Sequence, residues 1–362
     1  MPRSQRPLRL LIRPHWWLAV ALATAMAGCA AGPGADRPGP GQRALLEPPA
    51  GRVLHGWGQI SSWWLQGDPA AAGDPADLDA YAAAVAPHQP ALISFYLAPI
   101  EGHVTAFLAR YREFLRDRPY FIPQIALYFQ DESLHHQVLV GDADAQMRRL
   151  FEGIKAAGRP VLLRPGYEFN QHGNAYDPGP YPAAFQRVVR LAREVAPGLI
   201  ATVWHAEPEG FRDRDFHAWD PGDDYVDWWG LSIFFPEYFT DPHVLSFLSE
   251  AGRRGKPVLI AECSPWFHGD ASAPVRGAAS AAEAIGWCDA LFKLAAEHPQ
   301  IKGLSVIVVD WRRLNAKFSQ IPGGLPNARL DVWPGLREHY TQAIADRRFI
   351  HSEEASWLFS VR

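Results

Sequence analysis

The chain has 362 residues, 48% of them hydrophobic and 20% charged, a globular balance that excludes a disordered or fibrous protein. Lys+Arg 35 against Asp+Glu 39 leave a formal net charge of −4, so no basic excess exists to neutralise phosphates and nucleic acid is excluded as a partner class. The aromatic load is high (Trp 14, Tyr 11, Phe 19), enough for a core and for flat surfaces on which sugar rings stack.

The N-terminus reads as an export signal. Arg3, Arg6, Arg9 and Arg13 precede the apolar stretch Leu18–Met26, which is too short to span a bilayer. Met26-Ala27-Gly28-Cys29 resembles the bacterial lipobox, with Met26 where Leu is usual, and implies acylation of Cys29. Ala30 follows, not an acidic residue, which points to an outer-membrane lipoprotein; an ordinary secretory signal is the alternative. Residues 30–50 are rich in Ala, Gly and Pro and read as a tether, leaving residues 51–362 as one folded domain. Cys263 and Cys288 read as small buried apolar side chains, and no Cys/His spacing resembles a zinc site, so no metal or cofactor is expected.

Eight apolar runs then recur: Val53–Ile60, Ala91–Leu97, Tyr120–Phe129, Val161–Tyr167, Ile200–His205, Val226–Phe234, Val258–Cys263 and Leu304–Trp311. Their near-continuous apolar character is that of strands buried on both faces. Helical spacing separates most of them, over Asp77–Val85, Val104–Leu115, Ala143–Ala157, Ala183–Val195, His243–Arg253 and Ala281–His298, with Trp333–Ile344 last. Only the fifth and sixth runs lack a helix between them. Eightfold strand–helix alternation without a Gly-rich phosphate turn predicts an α/β fold, a single-domain (β/α)₈ TIM barrel, and places the site at the C-terminal ends of the strands.

Two carboxyls stand at such ends. In the fourth run Arg164, Gly166 and Glu168 share one face by alternation, and in the seventh Glu262 follows four apolar residues. Each alone is compatible with a structural ion pair or a hydrogen-bonded buried glutamate. Together, on opposite sides of one barrel mouth, they suit glycosidic cleavage, which needs one protonated and one ionised carboxyl, with Arg164 able to hold a neighbour ionised.

These residues carry a resemblance. Arg164-Pro-Gly-Tyr-Glu-Phe-Asn170 is similar to the Arg-Pro-x-His-Glu-Met-Asn motif of glycoside hydrolase family 26, the β-mannanase-type branch of a clan with catalytic glutamates on strands four and seven. Lys256-Pro257 and Ala261-Glu262 resemble the strand-seven motif, Val203-Trp204-His205 the end of strand five, and Trp219 to Leu231 the approach to strand six. The resemblance covers about residues 160–265. It implies a retaining hydrolase of β-linked polysaccharide, with Glu168 as acid/base and Glu262 as nucleophile. It departs at Tyr167, which replaces a His, and at Ser232-Ile-Phe-Phe235, where the family often has a Tyr against the nucleophile; Tyr238 is the candidate substitute.

Further substrate contacts are expected at Arg164, Tyr167, Asn170, Trp204, His205, Trp311 and Trp57, with Gln59 beside them; for the tryptophans, packing is an equal reading. Glu207, Glu237 and Asp310 are rival carboxylates, and His135-His136 reads as a solvated loop pair. The competing function is a non-catalytic glycan-binding barrel lipoprotein involved in exopolysaccharide handling.

Overall fold

The computed structural model describes residues 43–68, 72–174, 176–314 and 321–359. Eight parallel strands form the barrel: β1 (Val53–Ile60), β2 (Leu92–Leu97), β3 (Ile122–Leu127), β4 (Val161–Pro165), β5 (Ile200–Ala206), β6 (Trp228–Ile233), β7 (Val258–Cys263) and β8 (Ile301–Ile307). Each pairs with the next, and β8 closes onto β1 in the register Leu54↔Gly303 to Gly58↔Ile307. The expected (β/α)₈ barrel is therefore present.

The strands are buried along their whole lengths because helices cover the outside and side chains fill the inside. Helix starts follow local chemistry. Asp74, Asp131, Asp241 and Ser280 each accept a backbone N–H at the head of a helix, and Gly158 closes one in the left-handed conformation.

Three expectations need correction. Strand β8 lies three residues earlier than predicted, because the chain leaves the barrel after Ile307 and folds into a 3-10 turn, Trp311–Leu314, against which Arg312 returns to Asp310 at 2.7 Å. A helix over Glu132–Val140 has no counterpart among the predicted elements; it puts His135 against Phe129 and Tyr176, buried instead of solvated. A hairpin, Phe267–Asp270 with Ala273–Arg276, succeeds β7. Between β5 and β6, where the spacing predicts no long helix, three short 3-10 turns stand.

The tether also ends sooner than residue 50. Leu46 is 2% exposed and packs with Leu54, Leu92, Ile350 and Leu358 across the N-terminal end of the barrel, where Trp228 Nε1 donates to the Leu45 carbonyl at 3.0 Å. Apolar surface at the barrel floor captures this stretch. Cys29 and the export segment lie outside the described residues. No helix among the described residues is long and apolar enough to cross a membrane. Replacing Leu46 by Ala is expected to cost about 2–5 kcal/mol of unfolding free energy, measurable by chemical denaturation.

Candidate active site

The chemistry gathers inside the C-terminal mouth of the barrel, above a polar layer. Gln124 of β3 donates to Ser94 of β2 at 2.8 Å and to the Ala261 carbonyl of β7 at 3.0 Å, and Ser94 meets Ser305 of β8 at 3.0 Å. Above this layer Arg164 of β4 is fully buried. Its Nη1 donates to Glu262 Oε1 at 2.6 Å and lies 3.0 Å from His205 Nδ1.

Two local irregularities aim the carboxyls. Strand β4 ends at Pro165, not Tyr167, and Gly166 (φ 57°) and Glu168 (φ 51°) both adopt the left-handed conformation. A Cβ on Gly166 would come within 2.8 Å of Tyr181 and 3.0 Å of Phe129, so glycine alone permits the turn. Glu168 has no such freedom and holds a strained backbone, costing about 1–3 kcal/mol. It is pinned by Asn174 Nδ2 and Gln171 N donating to its carbonyl, each at 3.0 Å. On β7 the register with β6 and β8 shifts beside Glu262, a bulge. Ala261 already faces the interior, so plain alternation would send Glu262 outward. The bulge turns it to Arg164.

The two glutamates therefore meet: one oxygen of each, with a nitrogen of His205, lie within 4.8 Å of one another. Glu168 Oε1 accepts from Ser232 Oγ at 2.6 Å, and Ser232 Oγ lies 3.0 Å from His205 Nε2. Burial, then the charges of Glu262 and Glu207, push the Glu168 carboxyl well above the usual range, which keeps it protonated. Burial and the charge of Arg164 lower His205, which stays neutral. Burial also pushes this rival carboxyl, Glu207, up to about 7, and when ionised its charge adds to the upward push on Glu168. The trio of two glutamates and a histidine offers metal-type donors, but the Arg164 cation stands among them and both ring nitrogens of His205 are engaged, which opposes a second cation.

Of the other expected contacts, Tyr167 belongs to the site. It is half-buried, 5.3 Å from the Arg164 guanidinium and stacked on His205 at 6.2 Å. Trp311 stands at the rim, donating through Nε1 to Ser264 at 3.3 Å and meeting Trp266 edge-on at 5.4 Å.

Three do not line the site. Asn170 is fully buried; both ends of its amide are spent on the Glu207 backbone, at 2.9 and 2.8 Å, bracing the loop after β4 against the end of β5. Trp204 neighbours the inward His205 and so faces outward, stacked on Phe169 at 4.6 Å. Trp57 points outward from β1 against Tyr81. Asp310 pairs with Arg312, and Glu237 with His268 and Arg212, away from the centre. Cys263 and Cys288 are free thiols, both buried, and burial pushes Cys288 up to about 12.

Sequence reasoning missed Ser232 and Tyr96. Tyr96 of β2 is 7% exposed, its ring 5.2 Å from the Arg164 guanidinium. Its hydroxyl faces Arg164 and Glu262, and burial and the Glu262 charge raise it. Phe234, just beyond β6, stacks on Trp266 at 4.5 Å, and Tyr238 feels Glu207 and Glu209.

No family model matches the chain. A β-1,3-xylanase of a Vibrio species is 28% identical over 231 residues, 59% of this chain and 50% of that protein. A β-1,3-xylanase of an Alcaligenes species is 27% identical over 234 residues, 60% and 50%. The chain thus spans about half the length of the curated relatives it matches. A modular endo-β-1,4-mannanase of family 26 from Cellulomonas fimi superposes with a TM-score of 0.61 at 16% identity, covering 87% of this chain and 75% of that one. The fold is that of the family 26 glycoside hydrolases. The resemblance first seen around Glu168 and Glu262 thus extends to the family 26 barrel as a whole.

Two outcomes are expected from this geometry. Asn170→Ala should lower the unfolding free energy by about 1–3 kcal/mol, because buried backbone groups lose their partners, while binding of substrate fragments to the folded protein is unaltered. Gly166→Ala should destabilise by more than the ~1 kcal/mol of an ordinary Gly→Ala strain, since the added Cβ meets Tyr181 and Phe129; thermal denaturation measures both.

Proposed function

We propose that the protein hydrolyses a β-linked polysaccharide with retention, by double displacement, using Glu262 as nucleophile and Glu168 as acid/base. The observation that carries this reading is the approach of the two carboxyls to within 4.8 Å. Retaining enzymes hold theirs about 5–5.5 Å apart, and inverting ones about 6.5–9.5 Å to admit a water.

The environments divide the roles. Glu262, paired with Arg164 at 2.6 Å, is the carboxylate that attacks the anomeric carbon. Glu168, kept protonated, gives its proton to the departing glycosidic oxygen as that bond breaks. Once Glu262 is esterified, Glu168 has lost its proton and takes one from the water that attacks the anomeric carbon; the bond from that carbon to Glu262 breaks, releasing the sugar with its original configuration. Glu168 is then protonated again and Glu262 free. The half-buried Tyr167 and Trp266 suit contact with sugar rings, and the buried Trp311 backs Trp266 edge-on.

Two relatives named β-1,3-xylanases make β-1,3-xylan the first substrate to test, ahead of β-mannan. The N-terminal sequence supports export as a lipoprotein anchored through Cys29, facing a polysaccharide outside the cytoplasm.

Hydrolysis of β-1,3-xylan, β-mannan and β-glucan, monitored by proton NMR of the first-formed product, tests the proposal. A β-anomer released first is expected, with Glu262→Ala slower by roughly 10³-fold or more. An α-anomer released first rules out retention, and full activity in Glu262→Ala rules out the mechanism. Because the acid must be protonated, kcat/KM is expected to fall as pH rises through the raised pKa of Glu168, so activity persists above the pH at which an ordinary carboxyl is fully ionised.

A further inference from the structure

We propose that His205 and Ser232 are positioning residues that pass the polarity of Arg164 across the barrel mouth to Glu168, and so fix which of its two oxygens carries the transferable proton. The inference rests on Glu168 being the acid/base.

The first two hydrogen bonds of this path can run in one direction only. A guanidinium only donates, so His205 Nδ1, 3.0 Å from Arg164 Nη1, must accept. The single proton of the neutral imidazole is then on Nε2 and is given to Ser232 Oγ at 3.0 Å. With His205 donating to it, Ser232 keeps its own proton for Glu168 Oε1, 2.6 Å away. With Oε1 committed to accepting, the acidic proton belongs on Oε2, the oxygen left for the glycosidic bond. Protonating His205 would set an N–H against the Arg164 N–H, so the path has one polarity only.

The path is also mechanically fixed. His205 is fully buried, stacked on Tyr167 at 6.2 Å, and its carbonyl accepts from Phe169 N at 3.1 Å, tying β5 to the strained turn that carries Glu168. Ser232 is fully buried on β6. The charged or titratable groups around Glu168 are Glu262 from β7, Glu207 beyond β5, Arg164 from β4, and the tyrosines Tyr167 and Tyr176. Among the described residues, Ser232 is the one side-chain donor on the Glu168 carboxyl. That bond favours the ionised form, opposing burial and the acidic neighbours.

The test is a carbon-13 NMR titration of glutamate carboxyls in the folded protein, with Glu168→Gln assigning the signal, repeated in Ser232→Ala. Loss of the donor is expected to move the Glu168 titration to higher pH, and His205→Ala is expected to move it in the same direction. The double variant should shift no further than Ser232→Ala, because the residues act in series. In parallel, kcat/KM on β-1,3-xylan is expected to fall about 10- to 100-fold in Ser232→Ala, with its alkaline limb displaced upward. On a dinitrophenyl β-xylobioside, whose leaving group needs little protonation, the loss should be at least tenfold smaller.

An unmoved Glu168 titration in a folded Ser232→Ala protein overturns the proposal, as does an equal loss on both substrates. A shifted titration in a protein that hydrolyses nothing keeps the positioning path and removes the hydrolase reading. An unmoved titration in an active enzyme does the reverse.

Discussion

One buried guanidinium among several buried carboxyls governs this barrel. Arg164 is inaccessible and gives its shortest bond to Glu262, while Glu168 lies close by without a cation of its own. Two ionised carboxylates with oxygens within 4.8 Å of each other repel by roughly 3 kcal/mol or more at an effective dielectric of about 20. A single positive charge cannot offset that repulsion for both and also offset their desolvation. Arg164 is committed to Glu262 and Glu168 stays protonated, so the fold itself breaks the symmetry between two residues of the same type.

Holding that asymmetry requires backbone that ordinary strands do not supply. A regular β4 would carry Glu168 along the barrel wall, and a regular β7 would send Glu262 toward the helices. The left-handed turn at Gly166 and Glu168 and the bulge beside Glu262 bend both side chains into the mouth. The strain at Glu168 is offset by groups with no contact to the reacting centre: Asn174 on its carbonyl, and Asn170 locking the next loop to Glu207. Asn170 belongs to the motif shared with family 26, yet its work here is bracing.

This separates what the sequence could reveal from what it could not. Barrel strands buried on both faces write themselves as apolar runs, and β1 and β7 occupy the predicted limits. Glu168 and Glu262 were visible because a charge inside such a run is costly unless used. The aromatic residues were less legible. Trp204 adjoins His205 in a strand, so the two point to opposite faces, and an inward His205 excludes Trp204 from the mouth. Tyr96 was within reach of the same argument, sharing the inward face of β2 with Leu92 and Ser94. The bulge and the left-handed turn were beyond it, since Ala261-Glu262 and Tyr167-Glu168 carry no local composition signal for either. Ser232 was hidden for a related reason: a small hydroxyl in a strand is unremarkable until its partner is known.

Substrate choice lies in a different layer of the molecule from catalysis. The carboxyls, Arg164 and the polar floor beneath them sit on strands or at their ends, which the fold dictates. The aromatic surfaces that would meet a sugar chain sit on the loops and turns beyond the strands: Tyr167 in the turn after β4, Phe234 and Trp266 stacked beyond β6 and β7, and Trp311 in a turn after β8. A barrel at 16% identity to a mannanase can keep the first layer and change the second. Here Tyr167 stands where the family motif has a histidine, and Tyr96 offers a hydroxyl from the β2 side, beside Arg164. Phe234 stacked on Trp266, with Trp311 edge-on behind it, forms an aromatic face beyond β6 and β7, and residues in such loops can change without disturbing the carboxyls that the strands hold beneath them.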